Sequence, residues 1–189
     1  MMTFDFFFGY GSLVNTQTHT NRPNHPASLS GWRRAWRALP NRSVSFLTAV
    51  PDAESEIDGL VAAVAPEEWD ALHAREAFYD KHDATPLLRH AAGDKARIAV
   101  FAVPETTSTR PTREVPVLLS YLDVVLQGYL HVFGPEGAER FIETTDGWDA
   151  PILNDRGAPR YPRAQHLTDA ETAWVDDALA RRGIAPFAA

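Results

Sequence analysis

The chain has 189 residues, 44% of them hydrophobic and 23% charged, which suits one soluble globular domain, with room for an appended subdomain and a full core. A formal charge of −7 argues against nucleic acid as a partner, because phosphate binding needs clustered Lys and Arg, and the only lysines are Lys81 and Lys95. The absence of cysteine excludes disulfides, a thiolate nucleophile and thiolate metal sites.

The opening "MMTFDFFFGYGS" lacks a basic n-region and carries Asp5 within its short apolar run, so it reads as a strand ending at Gly9 and not as a leader. "ASLSGWRRAWRAL" alternates loosely and predicts a second strand bent at Gly31. Arg33 and Arg34 fall on opposite faces of that strand, where solvation is the ordinary fate and binding a carboxylate the functional one. "SVSFLTAV" and "EIDGLVAAV" predict two more strands paired antiparallel across the turn-rich "PDAES". "APEEWDALHAREAFY" predicts a helix, with Pro66 at its first position and Glu67 and Glu68 in its first turn. "ATPLLRH" and "ARIAVFAV" are further strand candidates, closed by Pro104.

From Pro116 the pattern turns helical. "PVLLSYLDVVLQGYLHVFGP" halts at Gly134-Pro135, and "PEGAERFIET" forms a second short helix. Its apolar stretch contains Asp123, Gln127 and His131, which suits a buried helix and not a membrane span. Residues 144–167 are rich in Pro, Gly, Asp and Asn, without periodicity. So long a loop suits either a lid carrying Trp148 and Tyr161 or an Ω-like packed segment. A final helix carries a Thr168/Glu171 capping box and ends at Gly183. Strands first and helices later give an α+β fold, closed or half-closed as a barrel, of a cytoplasmic protein.

Two features carry chemistry. Gly9-Tyr10-Gly11-Ser12 ends a strand with exposed backbone, but Val14 stands where a dinucleotide loop needs its third glycine and a serine elbow its second. No lysine follows for a P-loop. A tight turn remains, or a set of bare N–H groups able to bind a carboxylate or an oxyanion. On the predicted helix, Trp69, Leu72, Glu76 and Tyr79 fall on one arc, which puts a carboxylate on the face that should meet the core. No Lys or Arg lies at helical spacing from Glu76, although Arg33 or Arg34 could reach it from elsewhere. An apolar wall raises a carboxyl pKa into the range of a general acid or base. The seven histidines show no metal-ligand spacing.

Together these features resemble the γ-glutamylcyclotransferase-like family. "FFFGYGSLVN" is similar to its Tyr-Gly-Ser loop, "GWRRAW" to its second strand, and "IDGLVAAVAPEEWDALHAREAFYD" to its strand, helix and catalytic-glutamate segment. His73 follows Leu72 where many members have Asp. The resemblance implies a small mixed β-barrel flanked by helices, occupying residues 1–115, with a helical C-terminal extension, residues 116–189, packed on the same domain. It implies a cofactor-free enzyme that cyclises a γ-glutamyl group of a small molecule to 5-oxoproline and releases an amine or amino acid. Glu76 is then the general acid/base, and Tyr10, Gly11, Ser12, Leu13 and Tyr79 bind substrate. The alternatives are a non-catalytic module binding a metabolite or protein, and a hydrolase acting through Ser12.

Overall fold

The aromatic run forms β1 (Phe6–Gly9), and its neighbours explain why it is apolar on both faces. β1 pairs antiparallel with β3 (Phe46–Ala63) and parallel with β6 (Ile98–Ala102), which places it inside the sheet. Successive side chains of a strand point to opposite faces. Phe8 accordingly joins the main core, while Phe7 packs with Ala62, Leu72, Ala99 and Phe101 in a second cluster. The computed structural model describes residues 5–75, 79–93 and 96–188.

β2 (Asn24–Arg37) and β3 make one long antiparallel ribbon. The two strands expected from "SVSFLTAV" and "EIDGLVAAV" are a single strand, and they do not pair with each other. Residues 46–51 pair with 32–37 of β2, and residues 56–62 with 24–30, on either side of a bulge at Gly31. Residues 52–55 of the turn-like "PDAES" supply the extra residues of that bulge. Its Asp52 carboxylate accepts from the Glu54 N–H and the Ser55 hydroxyl, so a turn composition is used without reversing the chain.

β4 (Asp80–Asp83) and β5 (Leu88–His90) complete the strand order β4-β6-β1-β3-β2-β5. β4 is exposed along its whole length, so "DKHD" carries no hydrophobic pattern and was not foreseen. β8 (Thr145–Asp146) adds in parallel to the far half of β2, and the sheet curls into a half-barrel. The sequence therefore reads correctly as α+β with a mixed, partly closed barrel flanked by helices.

The helix predicted from Pro66 begins with one 3-10 turn, Pro66–Glu68, and continues as α1 (Trp69–Arg75). α2 spans Leu119–Glu143 and breaks at Gly134, whose φ of 70° is open to glycine at little steric cost, so two helical runs meet there as expected. β7 (Val117–Leu118), β9 (Ile152–Asn154) and β10 (Phe187–Ala188) form a small parallel sheet. α3 (Asp169–Ala180) has its capping box in place: the Thr168 hydroxyl accepts from the Glu171 N–H at 3.2 Å, and the Glu171 carboxylate accepts from the Thr168 N–H at 2.7 Å. One core joins Phe8, Trp36 and Leu60 of the sheet to Leu122, Val125 and Tyr129 of α2 and Val175 of α3. Among the described residues no helix is long and apolar enough to cross a membrane.

Candidate active site

Where β1 ends, the chain is pinned from behind. The Tyr10 hydroxyl donates to the Phe101 carbonyl at 2.6 Å, so that side chain turns inward and leaves the backbone to face outward. The Tyr10 carbonyl accepts from Arg34 Nε at 3.1 Å and from the Tyr129 hydroxyl at 3.0 Å. A single 3-10 turn, Ser12–Val14, follows, closed by Val14 N–H to Gly11 carbonyl and Asn15 N–H to Ser12 carbonyl. Asn15 fixes this turn to α2 by donating to the Val124 carbonyl and to Gln127 Oε1. The N–H groups of Gly11 and Leu13 have no acceptor among the described residues. A Cβ at position 11 would stand 2.7 Å from the Tyr121 hydroxyl, so glycine lets the loop approach that side chain closely.

The strand pattern left both Arg33 and Arg34 open between solvent and ligand, and Arg34 is the one that turns inward. It is neither solvated nor turned to the cavity: it is fully buried, with Trp32 and Trp36 on the same face of β2. Besides Tyr10 it reaches the Thr144 hydroxyl at 2.7 Å, the Tyr129 hydroxyl at 2.6 Å and the Asp58 carbonyl. Burial pushes its pKa down, partly offset by Tyr129, and burial pushes the Tyr129 phenol up to about 12. Arg33, on the opposite face, bonds Asp146 at 2.8 Å and Ser55 at 3.1 Å. The alternation Trp32, Arg34, Trp36 was the available signal for a buried cation, and the paired arginines obscured it.

The Gly9–Leu13 backbone lines a cavity of about 510 Å³. Its floor is buried and includes Phe8, Ser12, Leu47, Phe101 and Leu118. Tyr79 also lines it, with its ring 5.8 Å from Phe46 and its hydroxyl 3.5 Å from the Leu47 carbonyl. Thus Tyr10, Gly11, Ser12, Leu13 and Tyr79 share one cavity. Of the arc predicted on the helix, Trp69 and Leu72 lie on α1 and Tyr79 lies past its described end; Leu72 is buried, and Trp69 and Tyr79 pack on the same cluster. Glu76, the expected acid/base, lies outside the described residues. His73 packs against Trp69 and Phe101, with Nε2 3.4 Å from Lys81 Nζ.

Residues 144–167 contribute to the site in two different ways. Trp148 does not line this cavity. It packs edge-on against Trp36 and Phe141 and donates Nε1–H to the Ile142 carbonyl at 2.9 Å. Tyr161 does line it: its hydroxyl donates to Ser12 Oγ at 2.8 Å, and its ring lies 4.9 Å from Tyr121. Desolvation pushes the Tyr121 phenol well above its ordinary value, so it stays protonated beside Gly11. Arg42, Arg160 and Arg163 line the cavity as well, whereas no described Asp, Glu or His does. Sequence reasoning missed Tyr121 and the arginines, since nothing local ties positions 42, 121 and 160–163 together. Among the described residues no three or more His, Asp and Glu side chains cluster in a way that could hold a metal ion.

Among known proteins, no family model and no curated protein matches the chain. Solved structures do. A structure described as a gamma-glutamyl cyclotransferase superposes with a TM-score of 0.58 at 12% identity, over 92% of this chain and 98% of its own. YkqA from Bacillus subtilis superposes at 0.57 and 17% identity, over 74% of this chain; the match spans only 53% of YkqA. An uncharacterized protein from Homo sapiens gives 0.55 at 12% identity, over 91% of this chain and 98% of its own. At such identities the likeness defines the fold: the chain has the γ-glutamylcyclotransferase-like fold.

Proposed function

We propose that the protein is a γ-glutamylcyclotransferase-like enzyme that converts a γ-glutamyl group to 5-oxoproline, with Glu76 as general acid/base. The observation that carries this reading is the Tyr10–Leu13 loop, pinned from behind and lining a cavity, its Gly11 and Leu13 N–H groups without an acceptor among the described residues. Such groups suit a carboxylate or a developing oxyanion. The reaction needs no protein nucleophile. The substrate's α-amine forms a bond to its own γ-carbonyl carbon, and the bond from that carbon to the leaving nitrogen breaks. Glu76 takes the proton from the attacking amine and returns it to the leaving nitrogen. Holding nucleophile and electrophile in attack geometry can supply about 7–11 kcal/mol of the barrier.

Hydrolysis through Ser12 has less support, because a serine nucleophile needs an adjacent base. The described partner of Ser12 Oγ is the Tyr161 hydroxyl, and no described histidine lines the cavity. Assay of γ-glutamyl compounds separates the readings: cyclisation releases 5-oxoproline, hydrolysis releases glutamate, and a binding module releases neither. Glu76→Gln is expected to abolish 5-oxoproline release while leaving the melting temperature and substrate binding in place. Turnover retained in that variant removes Glu76 from the mechanism.

A further inference from the structure

Nine arginines of this acidic chain form ion pairs with a carboxylate among the described residues: Arg33, Arg37, Arg89, Arg97, Arg110, Arg140, Arg156, Arg181 and Arg182. Arg160 and Arg163 line the cavity and have no carboxylate partner among the described residues. Their segment is built into the fold. The buried Asp155 carboxylate accepts from the Ser120 N–H at 2.8 Å, the Ser120 hydroxyl at 2.6 Å and the Arg160 N–H at 2.9 Å. The Tyr161 N–H donates to Ser120 Oγ at 3.3 Å, and the Tyr161 hydroxyl closes onto Ser12. The strap 155–163 is thereby fastened to the start of α2 and to the glycine loop. Arg163 lies over the Tyr161 ring at 5.7 Å.

Position along the cavity separates the two ends of a substrate. The N–H loop runs beside the buried floor at Ser12, while Arg160 is exposed and Arg163 half-buried, at the solvent side where a leaving group departs. We propose that Arg160 and Arg163 bind the carboxylate of the leaving amino acid, making the site selective for γ-glutamyl amino acids and peptides over γ-glutamyl amines. This inference rests on the γ-glutamyl reading above. Guanidinium is the group suited to it, because its planar fork matches a carboxylate with two parallel hydrogen bonds.

The test uses two substrates that differ only in that carboxylate, γ-glutamyl-α-aminobutyrate and γ-glutamyl-propylamine, with 5-oxoproline release as the readout. The wild type is expected to favour the carboxylate-bearing substrate in kcat/KM by roughly tenfold or more, as for a charge-assisted hydrogen bond. The double variant Arg160→Gln/Arg163→Gln should lose that preference with little change toward the propylamine substrate. The double variant to Lys should keep part of it. A wild type that turns over both equally, or a preference unchanged in the Gln variant, overturns the inference and leaves the cyclisation reading standing. If neither substrate yields 5-oxoproline, cyclisation is the reading that fails. Calorimetric binding of the same pair then decides the clamp: tighter binding of the carboxylate member by wild type alone supports it, and equal or absent binding overturns it.

Discussion

Replacing Arg34 tests whether a buried cation holds the glycine loop through its fork or through its charge. Arg34 Nε serves the Tyr10 carbonyl and Nη2 serves the Asp58 carbonyl, while the Tyr129 hydroxyl stands within bonding distance of both carbonyls, at 3.0 and 2.6 Å. A hydroxyl has one proton. In Arg34→Met, Tyr129 can therefore satisfy only one of the two carbonyls and the other is left buried. An unsatisfied buried acceptor costs about 1–3 kcal/mol. Thr144 loses little, because its hydroxyl still donates to the Arg140 carbonyl at 2.6 Å. Relief of the desolvated charge and retention of side-chain volume hold the cost well under that of an orphaned buried ion. The net expectation is about 2 kcal/mol, or a fall in Tm of roughly 4–8 °C for a chain of this size. Arg34→Lys should lose more than Arg34→Met, since the ammonium keeps the buried charge and cannot span the same partners. Thermal unfolding followed by circular dichroism measures all three proteins. A Met variant that melts with the wild type, or a Lys variant more stable than the Met variant, refutes the reasoning.

Trp148→Ala removes a ring packed against Trp36 and Phe141 together with the bond to the Ile142 carbonyl. The expected cost is about 3 kcal/mol, the low end for Trp to Ala because the ring is only partly buried. Substrate affinity should change less than stability; the reverse, in unfolding and calorimetric titrations, would make this side chain part of a lid. For Glu171, burial opposes ionisation, but hydrogen bonds from the Thr168 N–H, Gln127, His131 and the Thr168 hydroxyl outweigh it and hold the carboxyl below its ordinary 4.5. A depressed carboxyl contributes stability above its unfolded pKa and loses it as pH falls through the folded value. Wild-type stability should accordingly drop below about pH 4.5, and Glu171→Gln should show a shallower acid-side decline in Tm between roughly pH 5 and 3. Parallel declines would assign the acid sensitivity to other groups.

The sequence by itself determined the local elements whose cause is local. The aromatic β1, the helix break at Gly134-Pro135 and the Thr168/Glu171 cap each follow from backbone sterics or from partners within a few residues. It also marked Gly9-Tyr10-Gly11-Ser12 and the carboxylate of Glu76 on a predicted apolar arc as anomalous; Glu76 lies outside the described residues, and the structure brings Tyr10 to Leu13 and Tyr79 to one cavity. β3 was misread as two strands because turn-type residues serve equally a reversal and a bulge, and only the register across β2 chooses between them. Arg34 inside and Arg33 outside were decided by which face of the curled sheet meets α2. Tyr121 and Tyr161 reach the glycine loop, and Arg160 and Arg163 its cavity, from more than a hundred residues away along the chain. Contact at that separation leaves no periodic trace, so the rim of the cavity was settled by tertiary packing alone.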